Sequence, residues 1–390
     1  MNLQTSMACT FTRESAVALA DFAALCEQTV NATDYPHCTE VQRNVVIYHA
    51  DSLHEALRSD PRPLMAELHQ LFRQGPGVMV VRQGYSDPDV VDRHSQVFNA
   101  IFAQQDQAGH AADHFARAGT NGRIWNSLQK AAVHSPESFI EYYANPLIGL
   151  IAESWLGPHF QTTAQVNVVH PGGRAQQPHR DYPLGFQTVD EVERFPLPLH
   201  VLSQYLTLQG AVAHTDMPLE TGPTLLLPFS QQYDLGYLAW RRTEFIDYFH
   251  QHAVQLPLHK GDLLFFNPAL FHAAGNNITP DQHRMANLLQ ISSAFGKPME
   301  SLDRDRMMQA LYPVLLKRLA HNELDAQGLA AVIATAADGY SFPTNLDTDP
   351  PLQGLAPQTG QQLMLEALAQ RWPFETFVQH VNLMRRKRQA

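Results

Sequence analysis

The sequence predicts a central all-β unit, a sandwich or barrel, with helices before and after it. Three observations carry that expectation. Between residues 160 and 297, short apolar or alternating runs recur between Gly, Pro and Asp turns, at the spacing of strands in a sandwich or barrel. On either side of that stretch, apolar residues fall at helical spacing instead. The 390-residue chain is 44% hydrophobic and only 17% charged, which supports a sizeable core rather than disorder.

Residues 13–30 carry Val17, Ala20, Phe22 and Leu25 at helical spacing, then a polar stretch leads to a short β-like run at 45–48. Residues 64–72 form an amphipathic helix closed by Gly75-Pro76-Gly77, and 78–81 a buried strand. Ser86-Asp87-Pro88 starts a helix, with a capping side chain and a proline in the first turn. Residues 136–156 are helical with a break near Pro146. The expected strands follow at 162–169, 200–208, 224–227, 254–258, 263–266 and 287–291, interrupted by an amphipathic helical stretch at 235–252. Helix returns at 307–319, 324–336 and 360–377, around a proline-rich loop at 338–357. The chain thus divides into a helical extension over 1–76, a β domain over 77–297 and a second helical extension over 298–390.

With 27 Lys+Arg against 38 Asp+Glu, the formal charge is −11, which argues against nucleic acid or an anionic membrane as a partner. The basic tip Arg385-Arg386-Lys387-Arg388 reads as a solvated helix end. No run of 18 apolar residues exists to span a membrane, and the N-terminus lacks a signal-peptide pattern. Cys9, Cys26 and Cys38 show no CxxC spacing and build no disulfide framework. A soluble, cytoplasmic protein is the expectation.

The candidate chemistry lies in the β section. Gln177-Pro178-His179-Arg180-Asp181 holds a His-x-Asp, and residues two apart on a strand share a face, so an imidazole and a carboxylate can grip one ion. A third ligand is offered by His272, about 90 residues on. Two histidines and one carboxylate leave open positions of the kind oxygen-activating Fe(II) requires. Twelve residues past His272, Arg284 opens a strand; a guanidinium inside a barrel needs an anionic partner, and a carboxylate held in bidentate fashion would supply it. Each piece occurs often by chance. Together, and all within the β section, they form a much more specific pattern.

From roughly Gly77 to Gly296 the sequence resembles the phytanoyl-CoA dioxygenase family of Fe(II)/2-oxoglutarate-dependent oxygenases. The resemblance rests on Gly77-Val78-Met79-Val80-Val81 with Asp87-Pro88, on Asn167-Val168-Val169-His170-Pro171-Gly172, and on Pro178-His179-Arg180-Asp181. It continues through Gly222-Pro223-Thr224-Leu225-Leu226-Leu227-Pro228 and Gly261-Asp262-Leu263-Leu264-Phe265-Phe266. It implies a double-stranded β-helix (jelly roll, cupin-like) flanked by helices, iron ligation by His179, Asp181 and His272, and binding of the distal carboxylate of 2-oxoglutarate by Arg284. The partners it implies are O2 and a small-molecule substrate, hydroxylated with release of succinate and CO2. Two positions depart from the family pattern: Phe229-Ser230-Gln231 stands where Gly-Ser-His is usual, and Thr221 where Asn precedes Gly222. Both bear on loop shape rather than on the ligands.

A second His-x-Asp, His214-Thr215-Asp216, competes with the first, but it runs directly into the turn at Gly222-Pro223, where a ligand pair is poorly held. Tyr182, Phe186 and Gln187 beside the first ligands, and Trp240 with Arg241 and Arg242 in the inserted helix, are candidates for lining the mouth. Packing or surface roles are the alternative for each. Two rival functions stand beside the oxygenase: a non-catalytic jelly-roll binding protein, and a cupin-like metal enzyme without 2-oxoglutarate, which has no need of Arg284.

Overall fold

Runs rich in β-branched and aromatic residues, such as 45–48, 78–81 and 263–266, become buried strands here. The computed structural model describes residues 10–107, 121–342, 344–351 and 356–389, so Cys9 and part of the 338–357 loop lie outside the described residues. In chain order the strands are β1 (Glu40–Gln42), β2 (Val45–His49), β3 (Val78–Arg82), β4 (Asn121–Ile124) and β5 (Gln161–Val169). They continue with β6 (Thr207–Ala213), β7 (Leu225–Leu226), β8 (Leu263–Phe266), β9 (His272–Ala273) and β10 (Arg284–Ser292). A large sheet runs in the order β1-β2-β3-β8-β6-β10-β5-β4, and β7 pairs with β9 in a short one. Within the large sheet β2 and β3 are parallel and the other neighbours antiparallel.

Side chains alternate across the large sheet, and each face meets a different layer. Met79, Val81, Val166, Phe265, Leu289 and Ile291 point outward into a core shared with the helices Arg62–Arg73, Pro136–Tyr143, Pro146–Leu156 and Arg304–Ala320. Val45, Ile47, Val78, Val80, Ala211, Leu264 and Phe266 point inward and pack on Leu226, Leu256, Leu258 and Leu270 from the opposing side. Burial on both faces explains why β2, β3 and β8 read as continuous apolar runs rather than alternating ones. The result is a jelly roll: a large sheet facing a small one, with helices on the outside of the large sheet.

The small sheet is wider than its two strands. His179 bridges His272 on one side of it, and Val254 bridges Leu226 on the other. Residues 174–182 therefore form an edge segment of the small sheet, bonded to β9.

Several expectations need correcting. Residues 200–208 were expected as one strand, but helix Leu197–Gln204 occupies the first half and β6 begins at Thr207. Pro196 and Pro198 set up the helix start there. The stretch before Gly77, expected as a helical extension, also supplies β1 and β2 to the large sheet. The helical stretch 235–252 is two helices, Gly236–Ala239 and Thr243–His252, and 360–377 is divided at Pro373. Strand β4 and helix Ser127–His134 were missed, although Leu128, Ala131 and Ala132 already stand at helical spacing and are buried. The break at Pro146 is as expected.

Candidate metal centre

The edge segment and β9 bring His179, Asp181 and His272 together. His179 and His272 exchange two backbone bonds, N to O, of 3.0 and 3.2 Å, and the Asp181 amide donates to the Pro268 carbonyl at 3.0 Å. Period-two alternation then puts His179 and Asp181 on the inner face beside His272. The His179 Nε2 lies 3.6 Å from Asp181 Oδ1, and the His272 Nε2 lies 3.3 Å from Asp181 Oδ2. One ligand atom from each of the three falls within 4.8 Å of the others. That spacing suits a single ion between them.

The remaining ring nitrogens are already committed. His179 Nδ1 faces the Gln177 carbonyl at 2.9 Å, and His272 Nδ1 faces the Leu270 carbonyl at 2.9 Å. A carbonyl only accepts, so each Nδ1 carries the proton and each Nε2 presents its lone pair to the centre. Phe266 packs its ring 4.6 Å from that of His272 and fixes the imidazole plane. Burial, reinforced by the His272 ring and opposed by Asp181, lowers the pKa of His179, so the imidazole is neutral at neutral pH. Burial alone would raise the Asp181 carboxyl, but its contact with His272 and the neighbouring His179 and Arg123 bring it below its ordinary value. Neutral imidazoles and an ionised carboxylate are the protonation states a divalent metal needs.

Arg284 enters from β10, in register with Val169, and shares the inner face with Ala286 and Leu288. It is only 7% exposed, and its Nη1 donates to the Thr221 carbonyl at 3.3 Å. No carboxylate forms an ion pair with it among the described residues, and burial lowers its pKa to about 10. A buried cation in this state fits an incoming carboxylate. The Thr221 carbonyl is presented by a tight turn in which Gly222 adopts φ +70°, and a Cβ there would come within 2.3 Å of the Asn276 carbonyl oxygen. Arg284 uses the backbone of Thr221, so the departure from Asn at that side chain leaves the guanidinium's support intact. Ser230, from the other departure, accepts from the Phe271 amide at 2.8 Å and braces the residue before His272.

His214 is built into a different layer. It follows inward-facing Ala213, points outward, and is 2% exposed. Its Nδ1 meets Ser95 Oγ and its Nε2 meets Tyr142 Oη, each at 2.8 Å, so both ring nitrogens are occupied. Asp216 instead accepts from the Lys260 amide at 2.9 Å on the surface. Burial lowers the His214 pKa from 6.5 to about 3. The unfolded chain therefore takes up a proton near pH 6.5 that the folded chain refuses until about pH 3, and stability falls as pH drops through that window. His214→Gln is expected to keep its metal. It is also expected to lose roughly 2 kcal/mol less stability than the parent between pH 6.5 and 5, read by denaturant unfolding. Equal slopes in the two proteins would contradict this.

Of the expected mouth residues, Tyr182 continues the ligand strand, its hydroxyl donating to the Lys297 carbonyl at 2.9 Å. Phe186 and Gln187 are exposed just beyond it. Trp240 is not with them. It packs against the cluster of Tyr233, Phe245 and Phe271, on the far face of the small sheet from the ligands, with Arg241 stacked on its ring at 3.7 Å. Arg123 went unnoticed in the sequence: it faces inward from β4, bonds Gln165 Oε1 at 3.0 Å, and its charge reaches Asp181. The signal was available in β5, where Thr163, Gln165 and Asn167 alternate as polar residues through an apolar strand.

A family model, Phytanoyl-CoA dioxygenase (PhyH), matches residues 74–286, just over half of the chain and all of the residues assembled above. No curated protein sequence matches significantly. Among solved structures, the chain is similar to the non-heme alpha ketoglutarate dependent epimerase SnoN from nogalamycin biosynthesis, at 18% identity and TM-score 0.42, over 60% of this chain and 84% of that one. It is also similar to the carbocyclase SnoK from the same biosynthesis, at 22% identity and TM-score 0.40, over 58% and 83% of the two chains. With the family match spanning the metal cluster and the buried arginine alike, this chain belongs to the phytanoyl-CoA dioxygenase family of Fe(II)/2-oxoglutarate-dependent oxygenases.

Proposed function

We propose that the protein hydroxylates a small or mid-sized metabolite, with iron held by His179, Asp181 and His272 and 2-oxoglutarate held at its far carboxylate by Arg284. The observation that carries this reading is the pairing of two features inside one barrel. Two Nε2 lone pairs converge on a carboxylate, and a buried guanidinium has no acidic partner among the described residues. A cupin-like enzyme without a dicarboxylate cosubstrate has no use for the second feature. Bound at this centre, iron supplies the redox chemistry that couples decarboxylation of 2-oxoglutarate to oxidation of a substrate C–H bond, giving succinate, CO2 and the hydroxylated product.

The protein's own contribution is orientation. The carbonyls of Gln177 and Leu270 hold both imidazoles in the ligating tautomer. Thr221 steadies Arg284. Tyr182, Phe186 and Gln187 are proposed to meet the substrate, whereas Trp240 packs on the outer cluster, away from it. Asp181 supplies a carboxylate ligand, which favours oxygenation over halogenation, since a halide needs the position that the carboxylate fills. The catalytic unit is proposed to span 77–297 together with β1 and β2 of the large sheet, with the described helices on either side in the chain packed around it. The free thiols of Cys26 and Cys38 fit a reducing, cytoplasmic setting, and no described helix is long and apolar enough to cross a membrane.

The test is consumption of 2-oxoglutarate by purified protein with Fe(II) and O2. Iron-dependent succinate formation is expected, even uncoupled from the native substrate. Its absence from iron-loaded protein would favour the non-catalytic binding protein, and chlorinated product would refute the oxygenation reading.

A further inference from the structure

Between the two ligands on the edge segment stands Arg180, whose side chain leaves by the opposite face. It is 0% exposed, the largest fully buried side chain among the described residues. Its guanidinium is clamped between two rings, with Cζ 4.9 Å from the Tyr237 centroid and 5.2 Å from that of Phe271. Nη2 donates to the carbonyls of Ser230 and Tyr233, at 2.7 and 2.9 Å. Nε and Nη1 have no partner among the described residues, and no carboxylate pairs with the group. The fit is close enough to require glycine beside it: a Cβ on Gly236 would sit 1.9 Å from Arg180 Cζ.

Such a residue is expensive to bury. A methionine of similar length would fill the space without desolvating a charge. What methionine lacks is the N–H donors that bind two carbonyls at once and the planar cation that stacks against aromatic faces. The location shows where that grip acts. Residues 174–182 form an edge of the small sheet, held within it by the backbone bonds of Gln176, His179 and Asp181 to Ala274, His272 and Pro268, in β9 and on either side of it. Those bonds fix the segment sideways. Arg180 fixes it along the perpendicular, against the 230–239 turn.

We propose that Arg180 is a positioning residue for the metal centre: by tying the ligand strand to the 230–239 turn, it sets where His179 and Asp181 stand relative to His272. Phe271, one of its stacking partners, directly precedes that third ligand, so the same clamp touches both ligand segments. The inference rests on the metal-site reading above.

It is tested by titrating the full-length protein with Co(II), a spectroscopic substitute for Fe(II), and following its visible absorption. Arg180→Lys keeps the charge but loses the planar fork; it is expected to weaken Co(II) binding at least tenfold and to change the intensity of the ligand-field bands. Gly236→Ala pushes a methyl group against the guanidinium and is expected to do the same, which keeps the test intact should Arg180→Lys fail to fold. Leu311→Ala removes apolar contacts behind the large sheet and is expected to lower the Tm while leaving Co(II) affinity within twofold of the parent. Folded Arg180→Lys or Gly236→Ala protein with parental affinity and spectrum would overturn the positioning role, as would an equal weakening in Leu311→Ala. If His272→Ala binds Co(II) as tightly as the parent, the metal-site reading itself is overturned, a result separate from the behaviour of Arg180.

Discussion

His272→Ala is expected to abolish iron-dependent consumption of 2-oxoglutarate and to lower metal affinity by at least about 100-fold. Removing only the hydrogen-bond partner of a ligating histidine commonly costs roughly 10–100-fold, so loss of the ligand itself costs more. The fold should survive, because the backbone bonds between His179 and His272 do not depend on the ring. His179→Ala is expected to behave in the same way, whereas His214→Gln retains iron and turnover. Isothermal titration with a divalent metal and a succinate assay distinguish the three variants. An active, iron-loaded His179→Ala protein together with an iron-poor His214→Gln would move the site to the other side of the large sheet.

Arg284→Leu is expected to separate cosubstrate binding from metal binding. Truncating one member of a buried charged hydrogen-bonded pair costs roughly 2–5 kcal/mol, and each 1.4 kcal/mol is about tenfold in affinity. The apparent Kd for 2-oxoglutarate should therefore rise at least about tenfold, with metal affinity in its absence unchanged. Arg284→Lys should recover part of the loss, since the ammonium keeps the charge but not the bidentate fork. Unaltered 2-oxoglutarate affinity in Arg284→Leu would mean that another cation holds the cosubstrate.

What could be read from the sequence was local and periodic. His179 and Asp181 lie two residues apart on an extended segment, and that spacing alone places both side chains on one face. Arg284 opens a strand, and the same parity sends it inward with Ala286 and Leu288. The competing pair could be set aside in the sequence only by the turn that follows it; the structure adds that Ala213 faces in, so His214 faces out into the helical layer. The expectations that went astray depended on contacts remote in sequence. Residues 200–208 read as a strand, yet Pro196 and Pro198 start a helix that occupies the stretch as far as Gln204. Trp240 lies in the helical insertion expected to cover the mouth, but that insertion folds over the back of the small sheet instead. Arg180 stands between two ligands in the sequence. Its role depends on Ser230, Tyr233 and Tyr237, about fifty residues away in the chain, and no local pattern announces that.

The most direct test is an anaerobic crystal structure of the protein soaked with Fe(II) and 2-oxoglutarate, with anomalous diffraction collected at the iron edge. The expected result is a single iron peak bound by His179 Nε2, Asp181 and His272 Nε2, with the far carboxylate of 2-oxoglutarate paired to Arg284. An iron peak away from these three side chains, or a cosubstrate carboxylate that leaves Arg284 unpaired, would contradict it.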